Sequence, residues 1–562
     1  MRASSALVLP AMLALVSVPV QAQYQNHTQL SRSVQELANS NRARTALITI
    51  ATSPGGRAIQ ALRIGPAGRP ALLVVAGAHG PQLVGSSIAL SAARAMLVAG
   101  AGDSVTVWFI PRLNPDAAEA MFASVAWART ANEMPGVDDD HDQKVDEDGF
   151  DDLNGDGVIT EMLLEDPNGT LIADSTDGRL FRRASADHGE VGRYRLVGEG
   201  RDADGDDAYN EDGPGGIDVN RNFSYDYPHH GAEAGQDPFG TPEAKGLAEF
   251  LMAHEEIAAV YVIGPQDNLL KPWENKPNQG VQQPDGKRAQ EGTSQGGPLN
   301  SIMSQDQAVF ADIGRRFREG TGLEKGPASA GLAGDVLSWA YYHFGRWSFG
   351  SRGWWVPDAP KDTTKSAAKT ASKDGGGTDS NADARNALKW FDANGIAAFV
   401  PWTDVMGLDN DGRSVRVGGF KPGALLNPPA GVELDSTLAR QDRFIAELAG
   451  MLPHLALRDV KATKLGDGVY RIEAEVVNTG HLPSTTALAS RLRNPRRVLL
   501  KLELGQATLL SGDAVQQVGP LPGGGGRGTS VAWTVAARAG SSVSVSAGSP
   551  VTGSATQSVT LR

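Results

Sequence analysis

The chain contains no cysteine. Disulfides, thiolate metal sites and cysteine nucleophiles are therefore excluded. Basic residues are in the minority, with 52 Lys and Arg against 65 Asp and Glu and a net charge of −13. The acid is concentrated in two loops, a pattern that favours bound cations over nucleic acid. Beyond the N-terminus no run is long and apolar enough to span a bilayer. Aromatics are scarce, at 6%, so a stretch that concentrates them, Gly334 to Trp355, reads as core.

Residues 1–22 have the form of a secretory signal. Arg2 supplies the positive start, Ala6 to Val20 the apolar region, and Val20-Gln21-Ala22 a small-x-small cleavage site. The mature protein is expected to be exported, to a bacterial periplasm or beyond. The 562 residues exceed what one core supports, so two or more domains are expected.

Residues 23–453 read as an α/β domain with a mostly parallel sheet covered by helices on both faces. Helical patterns at Gln29 to Asn41, Leu83 to Val98, Thr241 to His254, Ala308 to Glu319, Arg385 to Asn394 and Ser436 to Leu452 alternate with strand patterns at Thr45 to Ile50, Ala71 to Ala78, Ser104 to Pro111 and Ala258 to Gly264. Asn114-Pro115-Asp116 reads as a turn. Lys361 to Ala384, rich in Lys, Ser, Ala and Gly, reads as a flexible insertion. From 454 to 562 short β-branched segments separated by glycine turns predict an immunoglobulin-like sandwich.

The most informative stretch is Gly215-Gly216-Ile217-Asp218-Val219-Asn220-Arg221-Asn222-Phe223. An amide beside a planar guanidinium is suited to holding a carboxylate. The stretch resembles the Asn-Arg motif of the zinc carboxypeptidases (carboxypeptidase A-like metallopeptidases). Asn114-Pro115-Asp116, Phe239 to Lys245 and the aromatic stretch Gly334 to Trp355 extend that resemblance over roughly residues 40 to 450. It implies that Asn220 and Arg221 grip a substrate carboxylate, with Arg129 in the place of an oxyanion-stabilising arginine.

The same resemblance implies a zinc ion with three protein ligands, an open position for water and a separate glutamate as general base. His79 occupies the first ligand position. Gln82 occupies the second, where the family has glutamate, and the third falls on Gly264. The general-base position falls on Arg352, or on Gly353 if the register shifts by one. A positive charge about 5 Å from a zinc dication is repelled by roughly 7 kcal/mol at an effective dielectric near 20. These are vestigial zinc positions, and the site reads as degraded. His229, His230 and His343 are the other histidines that could replace lost ligands.

Two loops, 138–157 and 202–212, are dense in carboxylates. Asp138, Asp140 and Asp142 fall at alternate positions with Asp146 four residues on, and Asp152, Asn154 and Asp156 precede Gly157 in a half EF-hand pattern. Asp202, Asp204 and Asp206 form a second group. Oxygen-only ligands at this density point to calcium in a structural role.

The chain is thus expected to be an exported relative of the zinc carboxypeptidases that binds peptide C-termini or other carboxylates without hydrolysing them. Two alternatives stay open. One is an active metallocarboxypeptidase with altered ligands; the other is an envelope scaffold or adhesion protein in which the sandwich carries the function.

Overall fold

The structure is a computed structural model that describes residues 23–100, 105–134, 149–202, 209–210, 215–231, 233–273, 301–327, 329, 331–359, 380–405, 415–491 and 497–562. The signal segment, most of the predicted insertion, and Asp138, Asp140, Asp142, Asp146, Asp204 and Asp206 lie outside the described residues.

The first domain begins with helix α1 (His27–Ser40) and strands β1 (Thr45–Thr52), β2 (Ala58–Ile64) and β3 (Ala71–Ala76). Helix α2 (Leu83–Val98), strand β4 (Thr106–Ile110) and the short α3 (Pro115–Glu119) follow. The Asn114-Pro115-Asp116 segment, read above as a turn, instead starts a helix. Asn114 caps α3 by accepting from the Ala117 N–H, and Pro115 takes the first helical position, where its missing N–H is no loss. Four short strands come next, β5 (Glu161–Glu165), β6 (Leu171–Ala173), β7 (Phe181–Arg183) and β8 (Tyr194–Gly198). Then come α4 (Pro242–Ala253), β9 (Ile257–Ile263), α5 (Gln307–Thr321), α6 (Val336–Tyr342), β10 (Trp347–Ser351), α7 (Ala382–Ala393), β11 (Phe399–Asp404), β12 (Val415–Phe420) and α8 (Val432–Gly450).

The central sheet has the order β1-β2-β4-β3-β9-β10. It is mixed. The β3–β4, β3–β9 and β9–β10 pairings are parallel, whereas β1–β2 and β2–β4 are antiparallel. Register shows how both faces are covered. Trp108, Leu73, Val260 and Ser348 stand in one row across the sheet. From that row Trp108 meets Phe250 of α4 edge-on at 5.1 Å, and the Ser348 hydroxyl donates to the Leu337 carbonyl of α6. The next row is Phe109, Val74, Tyr261 and Phe349. It faces the other way, with Tyr261 donating to Gln441 of α8 and Phe349 packing on Phe310 of α5. Every residue of β3, β4, β9 and β10 is buried, which is why these strands are apolar runs with no alternation.

A second sheet, order β11-β12-β5-β8-β6-β7, is antiparallel and was not anticipated from the sequence. Among the described residues no helix is long and apolar enough to cross a membrane.

The C-terminal region folds as predicted in kind, with eight strands: β13 (Leu455–Gly466), β14 (Val469–Asn478), β15 (Val498–Glu503), β16 (Thr508–Ser511), β17 (Val515–Val518), β18 (Thr529–Ala536), β19 (Ser542–Ser549) and β20 (Gly553–Thr560). They form two antiparallel sheets, β13-β14-β18-β16 and β17-β15-β19-β20, around a core that includes Tyr470 and Trp533.

Candidate functional site

The C-terminal ends of β3, β9 and β10 converge, as expected of parallel strands in one sheet. His79 follows β3, Gly264 follows β9 and Arg352 follows β10. The Gly264 N–H donates to the Ser351 carbonyl at 3.1 Å, and the Gln82 amide donates from Nε2 to the Arg352 carbonyl. The four positions singled out by the resemblance are therefore neighbours.

Their chemistry differs from position to position. His79 is half-buried, and burial lowers its pKa to about 4, so the imidazole is neutral at pH 7. Gln82 is 3% exposed, and its Oε1 is buried with no hydrogen-bond partner among the described residues. Gly264 leaves room, since a β-carbon there would meet only the Val262 Cγ1 at 3.7 Å and the Gln266 Oε1 at 3.9 Å. Arg352 donates from Nε to the Pro265 carbonyl at 3.0 Å. Burial lowers its pKa, and the nearby Asp267 and Asp383 act in the opposite direction. Gly353, the alternative register, has φ +75°, and a β-carbon on it would lie 2.8 Å from the Ile88 side chain. A side chain at 353 would point into the apolar packing against α2. Position 352 is the one at the site.

Two residues missed in the sequence complete this cluster. Gln266 is 6% exposed and accepts from the Asn220 amide at 2.9 Å. Asp267 is 3% exposed and accepts the Leu269 and Leu270 N–H groups through Oδ1. Burial raises its pKa to about 6, against the pull of those N–H groups and of Arg352. The only sequence signal for either was position, two and three residues past the end of a buried strand.

The Asn-Arg motif forms a single 3-10 turn, Val219–Arg221, capped by Asp218, whose Oδ1 accepts the Asn220 N–H. Asn220 is 2% exposed. Its Nδ2 donates to Gln266 and its Oδ1 accepts the Val336 N–H at 3.4 Å. Asn222 is fully buried, donates to the Ala234 and Asp237 carbonyls and accepts the Thr241 N–H. Both asparagines are thus tied into the fold. Arg221 alone of the pair is half-exposed. Its backbone lies against Gly334, where a β-carbon would sit 2.2 Å from the Arg221 carbonyl and φ is +80°, so only glycine fits. Beside it Asp218 is buried. Burial raises its pKa to about 7, Glu233 adds to that rise and Arg221 opposes it.

Arg129 lies beside the start of the motif. It donates to the Ala131 carbonyl at 2.8 Å, the Gly215 carbonyl at 2.9 Å and the Asn132 carbonyl, with its guanidinium over the Trp127 ring. His343 bonds to Ser224 through Nδ1 at 2.9 Å, and His229 and His230 are exposed. Among the described residues no three of His, Asp and Glu converge in a way that could hold a metal ion.

In the acidic loops the described residues hold their own backbone. Asp152 accepts the Asp156 and Gly157 N–H groups, Asn154 accepts that of Asp156, and Asp156 accepts that of Val158. Beneath them the buried Glu199 accepts the Leu153 and Thr160 N–H groups. Asp202 lies at the edge of the described residues.

Comparison with known proteins gives the following. No curated protein matches the chain. Residues 454–560 match a domain of unknown function (DUF8731). Among solved structures, the carboxypeptidase A of Helicoverpa armigera aligns at 13% identity and a TM-score of 0.35, over 58% of this chain and 63% of that one. Bovine thrombin-activatable fibrinolysis inhibitor, in complex with tick carboxypeptidase inhibitor, aligns at 12% identity and a TM-score of 0.35, over 76% of this chain and 96% of that one. The zinc carboxypeptidase family model matches residues 30–352, more than half of the chain, and the chain belongs to the zinc carboxypeptidase family.

Proposed function

We propose that this protein is an exported, non-hydrolytic member of its family that binds carboxylate ligands, peptide C-termini foremost, with Arg221 as the main contact. The observation that carries the reading is the arrangement around Arg352. A guanidinium stands where the family's chemistry calls for a carboxylate base, and Asp267 lies close enough to act on its charge. Its carbonyl is bound by Gln82 in the second ligand position. Zinc does not fit this donor set, which comprises one imidazole, one amide with its Nε2 engaged, and a glycine. The nearby cation would oppose a dication by several kcal/mol. The glutamate that takes the water's proton in the family's chemistry is replaced here by Arg352, a cation that cannot act as a base.

The carboxylate side of the site is better supplied. Arg221 is half-exposed and follows Asn220, whose amide reaches Gln266 past the end of β9, and burial leaves Asp218 beside it only partly ionised near pH 7. Capture of a C-terminal carboxylate by a guanidinium is a recurrent recognition mode. Calcium in the acidic loops and export by residues 1–22 belong to the same proposal, and both rest on sequence pattern.

The test uses two measurements on the mature protein. Elemental mass spectrometry after dialysis against metal-free buffer should find no stoichiometric zinc. Calorimetric titration with peptides should show binding to free C-termini, none to the amidated forms, and loss of binding in Arg221→Ala. Stoichiometric zinc, or release of C-terminal residues, would sink the proposal.

A further inference from the structure

The C-terminal sandwich meets the α/β domain through two of its connections, 479–491 between β14 and β15, and the 549–553 turn between β19 and β20. Leu482 and Leu488 of the first, 0% and 4% exposed, and Val551 of the second belong to the core of the α/β domain and not to that of the sandwich. Polar contacts follow the same path. The Trp347 indole donates to the Pro483 carbonyl at 2.9 Å, and Thr486 donates to the Gly345 carbonyl at 3.1 Å. The buried Asp306 carboxylate accepts the Ala487 N–H at 2.8 Å and the Tyr341 hydroxyl at 2.8 Å. The Leu482 N–H donates to the Met451 carbonyl.

The positions of these contacts in the sheet are informative. Trp347 is the first residue of the edge strand β10, and Pro70, which lies against Gly553, immediately precedes β3. Both strands run parallel, so both contacts lie at the N-terminal ends of the strands. The candidate site lies at the other ends, about 17–20 Å away for strands of this length. Without the sandwich, the Asp306 carboxylate would lose the Ala487 and Leu488 N–H groups and keep the Tyr341 hydroxyl, the Gly345 carbonyl would lose its Thr486 donor, and the aromatic contacts of Trp347 with Phe310 and Phe349 would be opened to water.

We infer that the C-terminal domain completes the fold of the α/β domain as a fixed base beneath its sheet and takes no part in ligand contact. The two domains then unfold as one unit. Hydrogen exchange on the full chain tests this. Leu502→Ala truncates a residue of the sandwich core only. It should nevertheless speed exchange of the β9 and β10 amides about tenfold or more, because opening the sandwich removes the base. Leu482→Ala should do the same, and calorimetry of the unaltered chain should show one transition. Should Leu502→Ala fail to fold, Leu502→Val gives a milder form of the same comparison. Unchanged β10 exchange in the Leu502 variants, together with two separate calorimetric transitions, would overturn the inference.

Discussion

Asn220 and Arg221 are adjacent and read from sequence as one device, yet the structure separates their roles, and a pair of alanine variants tests that separation. Asn220→Ala removes the donor to Gln266 Oε1 and the acceptor of the Val336 N–H. Gln266 is 6% exposed, so water does not readily replace the lost partner. An orphaned buried polar group costs about 1–3 kcal/mol, and the small void left by the amide adds ~1 kcal/mol. The expected loss of stability is therefore about 2–4 kcal/mol. Arg221→Ala removes a half-exposed side chain that also acts on the buried Asp218, and should cost less stability than Asn220→Ala, about 1 kcal/mol. Its effect should appear in binding, where a charged contact to carboxylate is worth about 1.5–3 kcal/mol, or roughly a 10- to 100-fold weaker affinity. Urea unfolding and calorimetric titration with a free-carboxylate peptide measure both quantities on the same samples. If Asn220→Ala left stability unchanged and abolished binding, the assignment of its amide to the fold would be wrong.

Three further outcomes are expected. Gln82→Glu, Gly264→His and Arg352→Glu combined should restore zinc binding, measured by elemental mass spectrometry, because a β-carbon at 264 meets nothing closer than 3.7 Å; a combined variant that is folded and metal-free would mean that the ligand positions are misassigned. Glu243, fully buried and held by both Asn132 hydrogen bonds, has its pKa raised to about 7, chiefly by burial. A raised folded-state pKa means that its contribution is fully present below the unfolded value and is lost as pH rises through about 7; Glu243→Gln should flatten that fall, at most ~3 kcal/mol for a shift of this size, in urea midpoints taken from pH 4.5 to 8. Calcium at 100 times its dissociation constant should stabilise the protein by ~2.7 kcal/mol, seen as a higher melting temperature that EGTA reverses; no change with calcium would remove the ion from the acidic loops.

The legible parts of this fold were those whose signal is local. β3 and β9 are uninterrupted buried runs, and α4 announces itself with Thr241 as cap and Pro242 in the first turn. The second sheet was illegible for the opposite reasons. Its strands β6 and β7 are three residues long, β8 is only half-buried, and the partners of β5 on one side are β12 and, beyond it, β11, more than 200 residues later. At the site, the motif placed Asn220 and Arg221 side by side, but the partner that decides the role of Asn220 is Gln266, which carries no motif. Arg129 was recognisable as an arginine near the site; its engagement with three backbone carbonyls depends on where the 131–132 and 215 backbones fold.

On the proposed reading, the residues at positions 82, 264 and 352 make more sense together than apart. A cation at 352 in a crowded site calls for a nearby anion, and Asp267 supplies one. The Arg352 backbone then offers a carbonyl that a neutral amide at 82 can bind as donor. A glutamate there, being acceptor-only when ionised, could not. With no imidazole at 264, Gln266 Oε1 lies near the space that a side chain at 264 would enter and draws the Asn220 amide away from any ligand. Residues linked in one hydrogen-bonded network do not contribute additively. Returning glutamate to 352 alone would set it beside Asp267, and two like charges ~4 Å apart repel by about 4 kcal/mol at an effective dielectric near 20. If the proposed assignment of these positions holds, each single substitution toward a metal site is opposed by the other residues, and only the combined variant should bind zinc.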